Sequence, residues 1–270
     1  MAPTLELPHG SVGADHDWTV GDGRPGRVIV GPLDGSDPSR STTAMAAGLA
    51  RRLGWRLALV PVPLGATART RRDRLVAAAV DERAELVATP ATDSIGAAAC
   101  LALANEAPCP VLAVPLTGRT QPTFRGSIVC GIEDSAGAQA VARTAAHLAQ
   151  TLGARLELVH AATLRDSRTR REAGACRGLL WRALRTLDTM PPIDIVVENG
   201  EPARRLCALT EGEGTLLVIG APASAAGDGE RERGVASTVL AQSRVPVVLV
   251  PAPAAGEAGG SVRGRCRRAA

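Results

Sequence analysis

Two stretches of this chain are copies of one another, and the spacing of their parts limits what it can fold into. AAGLARRLGWRLALV (46–60) returns as AAHLAQTLGARLELV (145–159), so that Leu49, Leu53, Gly54, Arg56 and Leu57 recur 99 residues later as Leu148, Leu152, Gly153, Arg155 and Leu156. Ahead of this block, VIVG (28–31) matches IVCG (128–131) at an offset of 100. Behind it, ELVAT (85–89) matches LLVIG (216–220) at 131, and PVLAVP (110–115) matches PVVLVP (246–251) at 136. The growing offset records where the copies differ. The first copy has one extra residue after its first apolar run. It lacks about 32 residues before LVAT and 5 more after it.

The second copy reads as alternating strands and helices. Short apolar runs at Ser127–Ile132, Arg155–His160, Ile193–Glu198, Thr215–Gly220 and Val247–Val250 predict five strands. The segment 135–152 places Val141, Ala145, Leu148 and Leu152 on one helical face, with Gly153 as its stop. Asp134 or Ser135 is the expected N-cap. A second helix is expected over 166–189, ending before Pro191-Pro192. A third opens at Gly200-Glu201-Pro202, and a last one covers 235–243. Strands alternating with helices imply a parallel sheet covered on both faces. The 32 residues missing from the first copy amount to a helix and a strand, so a reduced four-stranded unit should precede a five-stranded one, with a helix over 71–83. The expected divisions are a disordered tail (1–26), the reduced unit (27–116), a linker (117–125), the complete unit (126–251) and a disordered basic tail (252–270).

Composition excludes several classes of function. No stretch approaches the roughly 18 apolar residues of a membrane span, and the N-terminus lacks the apolar core of a signal peptide. A cytoplasmic protein is expected. The net charge is +4, all cationic side chains being Arg, and these form no single stripe. With three Trp, one Phe and no Tyr in 270 residues, the aromatic platforms on which single-strand binders stack bases are missing, which argues against nucleic acid as a partner. The six cysteines make no C-x-x-C pair and find no histidine at zinc spacing, so they read as buried apolar side chains in a reducing compartment, with no metal site. Gly21-Asp22-Gly23-Arg24-Pro25-Gly26 spells G-x-G-x-x-G but precedes a strand and contains Pro, so it is not a dinucleotide loop. His9 and His16 lie in the head, and His147 reads as a surface residue. Glu133-Asp134 are adjacent carboxylates without a third group to work with, so no catalytic residue is assigned.

Certain motifs recur in a fixed order. IVGPLDGS (29–36) and CGIEDS (130–135) follow the first strands; LGARLELVHA (152–161) spans the second; APCPVLAVP (107–115) and RVPVVLVP (244–251) close the copies. In this order, and present twice, they resemble the universal stress protein family over about residues 27–251. The resemblance implies an α/β fold of two tandem Rossmann-like units of the adenine-nucleotide alpha-hydrolase type. It also implies a stress-response regulator without catalytic residues and a ligand site at the carboxyl ends of the strands. ATP-binding members carry G-x2-G-x9-G-[S/T] after strand four, where glycine amides and a helix N-terminus cradle phosphates.

Laid on the second copy, this loop keeps its spacing and changes its chemistry. Gly220 holds the first position, Ala223 the second and Arg233 the third, and Gly234 stands where Ser or Thr belongs, followed by Val235 and Ala236. Gly131 and Ile132 close strand one, and Glu133 and Ser135 follow it, Glu133 replacing the family's Asp. His160 and Ala161 end strand two at the adenine-contacting position. The resemblance thus implies weak binding of ATP or another adenine nucleotide in the C-terminal unit. None is expected in the N-terminal unit, whose loop PATDSIG (90–96) is too short to wrap a triphosphate. The alternatives are a scaffold acting through a protein partner, or a homodimer formed through last-strand edges, and beyond these a weak ATPase.

Overall fold

The computed structural model describes residues 19–20, 27–92, 94–116, 126–133, 135, 137–162, 178, 181, 185, 191–210, 216–222 and 229–252. Ten strands form one sheet: β1 (Thr19–Val20), β2 (Val28–Leu33), β3 (Arg56–Pro61), β4 (Leu86–Ala91), β5 (Val111–Pro115), β6 (Ser127–Gly131), β7 (Arg155–Ala162), β8 (Ile193–Asn199), β9 (Leu216–Gly220) and β10 (Val247–Val250). Their spatial order is β1-β3-β2-β4-β5-β10-β9-β6-β7-β8. The helices are α1 (Asp37–Leu53), α2 (Ala68–Asp81), α3 (Ser94–Glu106), α4 (Ala138–Leu152), α5 (Pro202–Leu209) and α6 (Gly229–Gln242). The helix expected over 166–189 falls almost wholly outside the described residues; of those described there, Gly178 and Trp181 are helical and Arg185 lies in a turn.

Strands are parallel within each half of the sheet, except that β1 is antiparallel to β3. The halves join where β5 and β10 pair antiparallel, with Leu112 opposite Val248. These two residues are each other's equivalents in the repeat, so the seam is self-complementary, as across a two-fold axis. The join extends to both faces of the sheet, where α1 packs on α4 and α3 on α6. One buried cluster holds Leu49, Leu112, Leu148 and Val248; the other holds Val87, Cys100, Leu217 and Val239. Each core layer therefore runs through both halves. Along this seam β5 and β10 satisfy each other's backbone groups within one chain.

Local sequence explains most element ends. The Ser36 hydroxyl caps α1 by accepting from the Ser39 amide at 3.2 Å, Pro38 sits in the first turn, and Gly54 (φ +67°) closes the helix in the left-handed region. Gly153 (φ +65°) ends α4 in the same way. Glu201 caps α5, accepting from the amides of Ala203 and Arg204.

Three elements depart from expectation. No side chain caps α4, which begins at Ala138 after Gly137. Ser135 lies two residues before the Gly137 cap position, its amide closing a turn onto the Glu133 carbonyl at 3.0 Å; Asp134 lies outside the described residues. The α6 helix begins at Gly229, six residues early, because Glu230–Arg233 are good helix formers and Gly234 is carried along inside them. Thr19–Val20, in the head read as disordered, form β1 on the outer edge of β3. That is the place β8 holds beside β7 in the other half. The first copy lacks the residues that would supply such a strand, so its β3 edge is left open to the head. The rest of 1–26 and of the tail beyond 252 lies outside the described residues.

Candidate functional site

In each half, one strand has its chain continuations on opposite sides, and a crevice opens at the carboxyl end of such a strand. These strands are β2, between β3 and β4, and β6, between β7 and β9.

The C-terminal crevice brings together part of the expected set. Gly131 ends β6 and Gly220 ends β9. The Glu133 carboxylate reaches back over the gap, its Oε1 3.9 Å from where a Cβ on Gly220 would stand, and Val141 of α4 approaches the same point to 3.5 Å. Ile132 is buried; its amide donates to Val159 O at 2.8 Å, and its carbonyl accepts from His160 Nδ1 at 2.8 Å. A carbonyl can only accept, so Nδ1 of His160 carries a proton in this contact. Ala161 is half-buried in β7 opposite Glu198, and Ser135 is half-buried in the turn before α4.

The phosphate-side residues are arranged otherwise than expected. Ala223 lies outside the described residues. Arg233, Gly234, Val235 and Ala236 fall in the second turn of α6 rather than at its N-terminus. Amides there bond back to the first turn and are not offered to an anion. Ala236 is buried, and Val235 packs on the same core cluster.

Gly131 is close-packed. A Cβ there would stand 3.0 Å from Leu206 Cδ1 of α5 and 3.2 Å from Ile219 Cγ2, whereas on its counterpart Gly31 it would meet only ordinary contacts of 3.7 Å or more. Gly131→Ala should therefore cost about 1–2 kcal/mol, and Gly31→Ala much less, as thermal unfolding of the two variants will measure.

The N-terminal crevice is built around a pair that the spacing of motifs did not reveal. Asp34, just after β2, has a side chain only 3% exposed. Its Oδ1 accepts from the Ser36 amide at 2.9 Å and the Ser36 hydroxyl at 2.5 Å, and its Oδ2 from Arg71 Nη2 of α2 at 2.9 Å. Burial alone would raise its pKa. The Ser36 donors and Arg71 outweigh that and hold the carboxyl below the usual range. Arg71 Nε is buried without a partner. The only hint in the sequence is the run of arginines at 69–74, which does not say which one reaches Asp34.

The described cysteines match expectation where they are core residues: burial pushes the Cys100 and Cys109 thiols up to about 12, and that of Cys130 further. Among the described residues no group of acidic, histidine or cysteine side chains could hold a metal ion, and no helix is long and apolar enough to cross a membrane.

Residues 125–251 match the family model described as the universal stress protein family. That match spans the C-terminal unit. The whole double unit has the same fold as solved members. A universal stress protein from Archaeoglobus fulgidus aligns with a TM-score of 0.57 at 13% identity, covering 84% of this chain and 97% of that one. A protein from Pseudomonas aeruginosa, provisionally described as a universal stress protein, aligns at 0.51 with 18% identity over 83% of this chain and 82% of that one. No curated protein matches the chain. Both halves therefore share the Rossmann-like universal stress protein architecture, in tandem.

Proposed function

We propose that the chain is a cytoplasmic stress-response regulator with no catalytic machinery of its own, and that its C-terminal crevice takes an adenine nucleotide weakly. The observation that carries this reading is the crevice between β6 and β9 in a unit of the universal stress protein family. There, Gly220 leaves backbone open beside the Glu133 carboxylate. Glu133 and the His160 ring are of a chemistry suited to polar edges of a base or ribose. Phosphate contacts are the weak part, because Gly234 lies within α6 rather than at its start. The N-terminal crevice takes none, its carboxylate being spent on Arg71 and Ser36.

Mass spectrometry of small molecules released from the purified chain, with calorimetric titration of ATP, ADP, AMP and cyclic AMP, tests the reading. We expect dissociation constants from tens to hundreds of micromolar, weakened about tenfold by Glu133→Ala. If nothing co-purifies and nothing binds below roughly 1 mM, the nucleotide reading is lost. A second reading, a scaffold that acts through a protein partner, is favoured by the Asp34–Arg71 pair that occupies the N-terminal crevice. Hydrolysis that Glu133→Ala and Arg233→Ala both leave unchanged would argue against a weak ATPase at this site.

A further inference from the structure

We propose that the α1/α4 junction is a proton-sensitive joint between the two halves, with His147 as its titrating group. His147 was expected at the surface. It lies half-buried on α4 instead, its ring stacked on Trp55 just after α1, with centroids 6.3 Å apart and planes 22° from parallel. Arg27, just ahead of β2, sits 5.7 Å from the centre of the Trp55 ring and donates through Nη1 to His147 Nε2. Arg27, Trp55 and His147 thus form one contact, the first two from the N-terminal half and the third from the C-terminal half.

The donor fixes the state of the ring. An arginine only donates, so Nε2 must carry a lone pair, and the ring in this contact must be neutral. Proton uptake removes the acceptor and sets an imidazolium against a guanidinium. The surrounding charges do not reverse this. Glu85, ahead of β4, is 3.9 Å from Arg27 Nε and favours protonation. Arg52 of α1 donates to the Leu152 carbonyl at the end of α4, and Arg143 stands one turn before His147. Burial first, and then Arg27, hold the His147 pKa below its ordinary value despite Glu85.

The joint is one-sided. In the repeat, Trp55 corresponds to Ala154 and His147 to Gly48, so the mirror position across the pseudo-axis has small side chains and nothing to titrate. The α4 helix also passes the C-terminal crevice, where Val141 touches the Gly220 position. One helix therefore spans joint and crevice.

The sign follows from the lowered value. A neutral ring is favoured by the fold, so its contribution is complete above the unfolded pKa of about 6.5 and is lost as the pH falls through the lower folded value. Histidine NMR on the full chain reads this directly. We expect one ring resonance, absent in His147→Gln, to titrate below about 6.5 and to move upward in Arg27→Met. Thermal unfolding from about pH 7.5 to 5.5 should show a fall in Tm of a few degrees that His147→Gln largely removes. A ring that titrates at or above its ordinary value, or a Tm–pH curve the same in both proteins, would overturn the proposal.

Discussion

Leu112→Ala should lower the unfolding free energy by about 3 kcal/mol, and should do so in a single transition. Leu112 is fully buried and faces its repeat equivalent Val248 where β5 meets β10. Removing its isobutyl group loses the transfer free energy and leaves a cavity, which for buried leucines costs roughly 3–5 kcal/mol. The site can collapse little, because both strands are fixed by parallel neighbours, β4 on one side and β9 on the other. The loss is shared by both halves, since Leu112 belongs to a core cluster that also contains Leu49 and Leu148. Urea unfolding followed by tryptophan fluorescence and far-UV circular dichroism should give coincident curves, both moved to lower denaturant. Separate transitions, with only one moved, would show that the halves fold independently.

Arg71→Met should cost a similar amount, about 3 kcal/mol, by a different route. The methionine keeps much of the apolar stem but leaves the Asp34 carboxylate, almost fully buried, without its cation. Breaking a buried pair from one side typically costs 3–5 kcal/mol, and the partial exposure of Arg71 places this case at the lower end. Adding Asp34→Asn should recover part of the loss, since an amide is cheaper to bury than an unpaired charge. Acid sensitivity should change as well. In the parent chain the Asp34 pKa is lowered in the folded state, so its contribution is present above the unfolded value near 3.9 and is lost as the pH falls through the lower folded one. Without Arg71 the opposing effect of burial is less offset, the folded pKa rises, and that dependence shrinks or reverses. Urea midpoints at about pH 7 and about pH 3 for the three proteins check both statements.

Strands were legible because each is a short run of branched apolar residues bounded by a turn; Val247–Val250 lies where the sequence placed it. Helix ends were legible where a residue type is needed for its backbone, as at Gly54 and Gly153 in the left-handed region. They were not legible where two local rules competed. Gly234 reads as a loop residue, yet the four residues before it favour helix and α6 runs through it. Ser135 reads as a cap, yet α4 begins later, at Ala138 behind Gly137. The crevice at β6 could be anticipated from strand order and from the family's motifs. Its N-terminal counterpart could not, because Arg71 and Asp34 are 37 positions apart and only the placement of α2 on β2 brings them together. His147 was misjudged for the same reason. Its helical face is polar within its own unit, and its partners come from the other one.

The antiparallel seam of β5 and β10 also has a consequence for stoichiometry. When two identical chains meet about an axis, every substitution is made twice, and any site comes in pairs that can cooperate. Here both sides of the axis lie in one polypeptide, and each has changed without the other. Trp55 and His147 have Ala154 and Gly48 as their equivalents across it, and the Asp34 of one crevice answers to the Glu133 of the other. A ligand entering the crevice between β6 and β9 therefore meets no identical twin. Its binding isotherm should be hyperbolic, with one equivalent per chain.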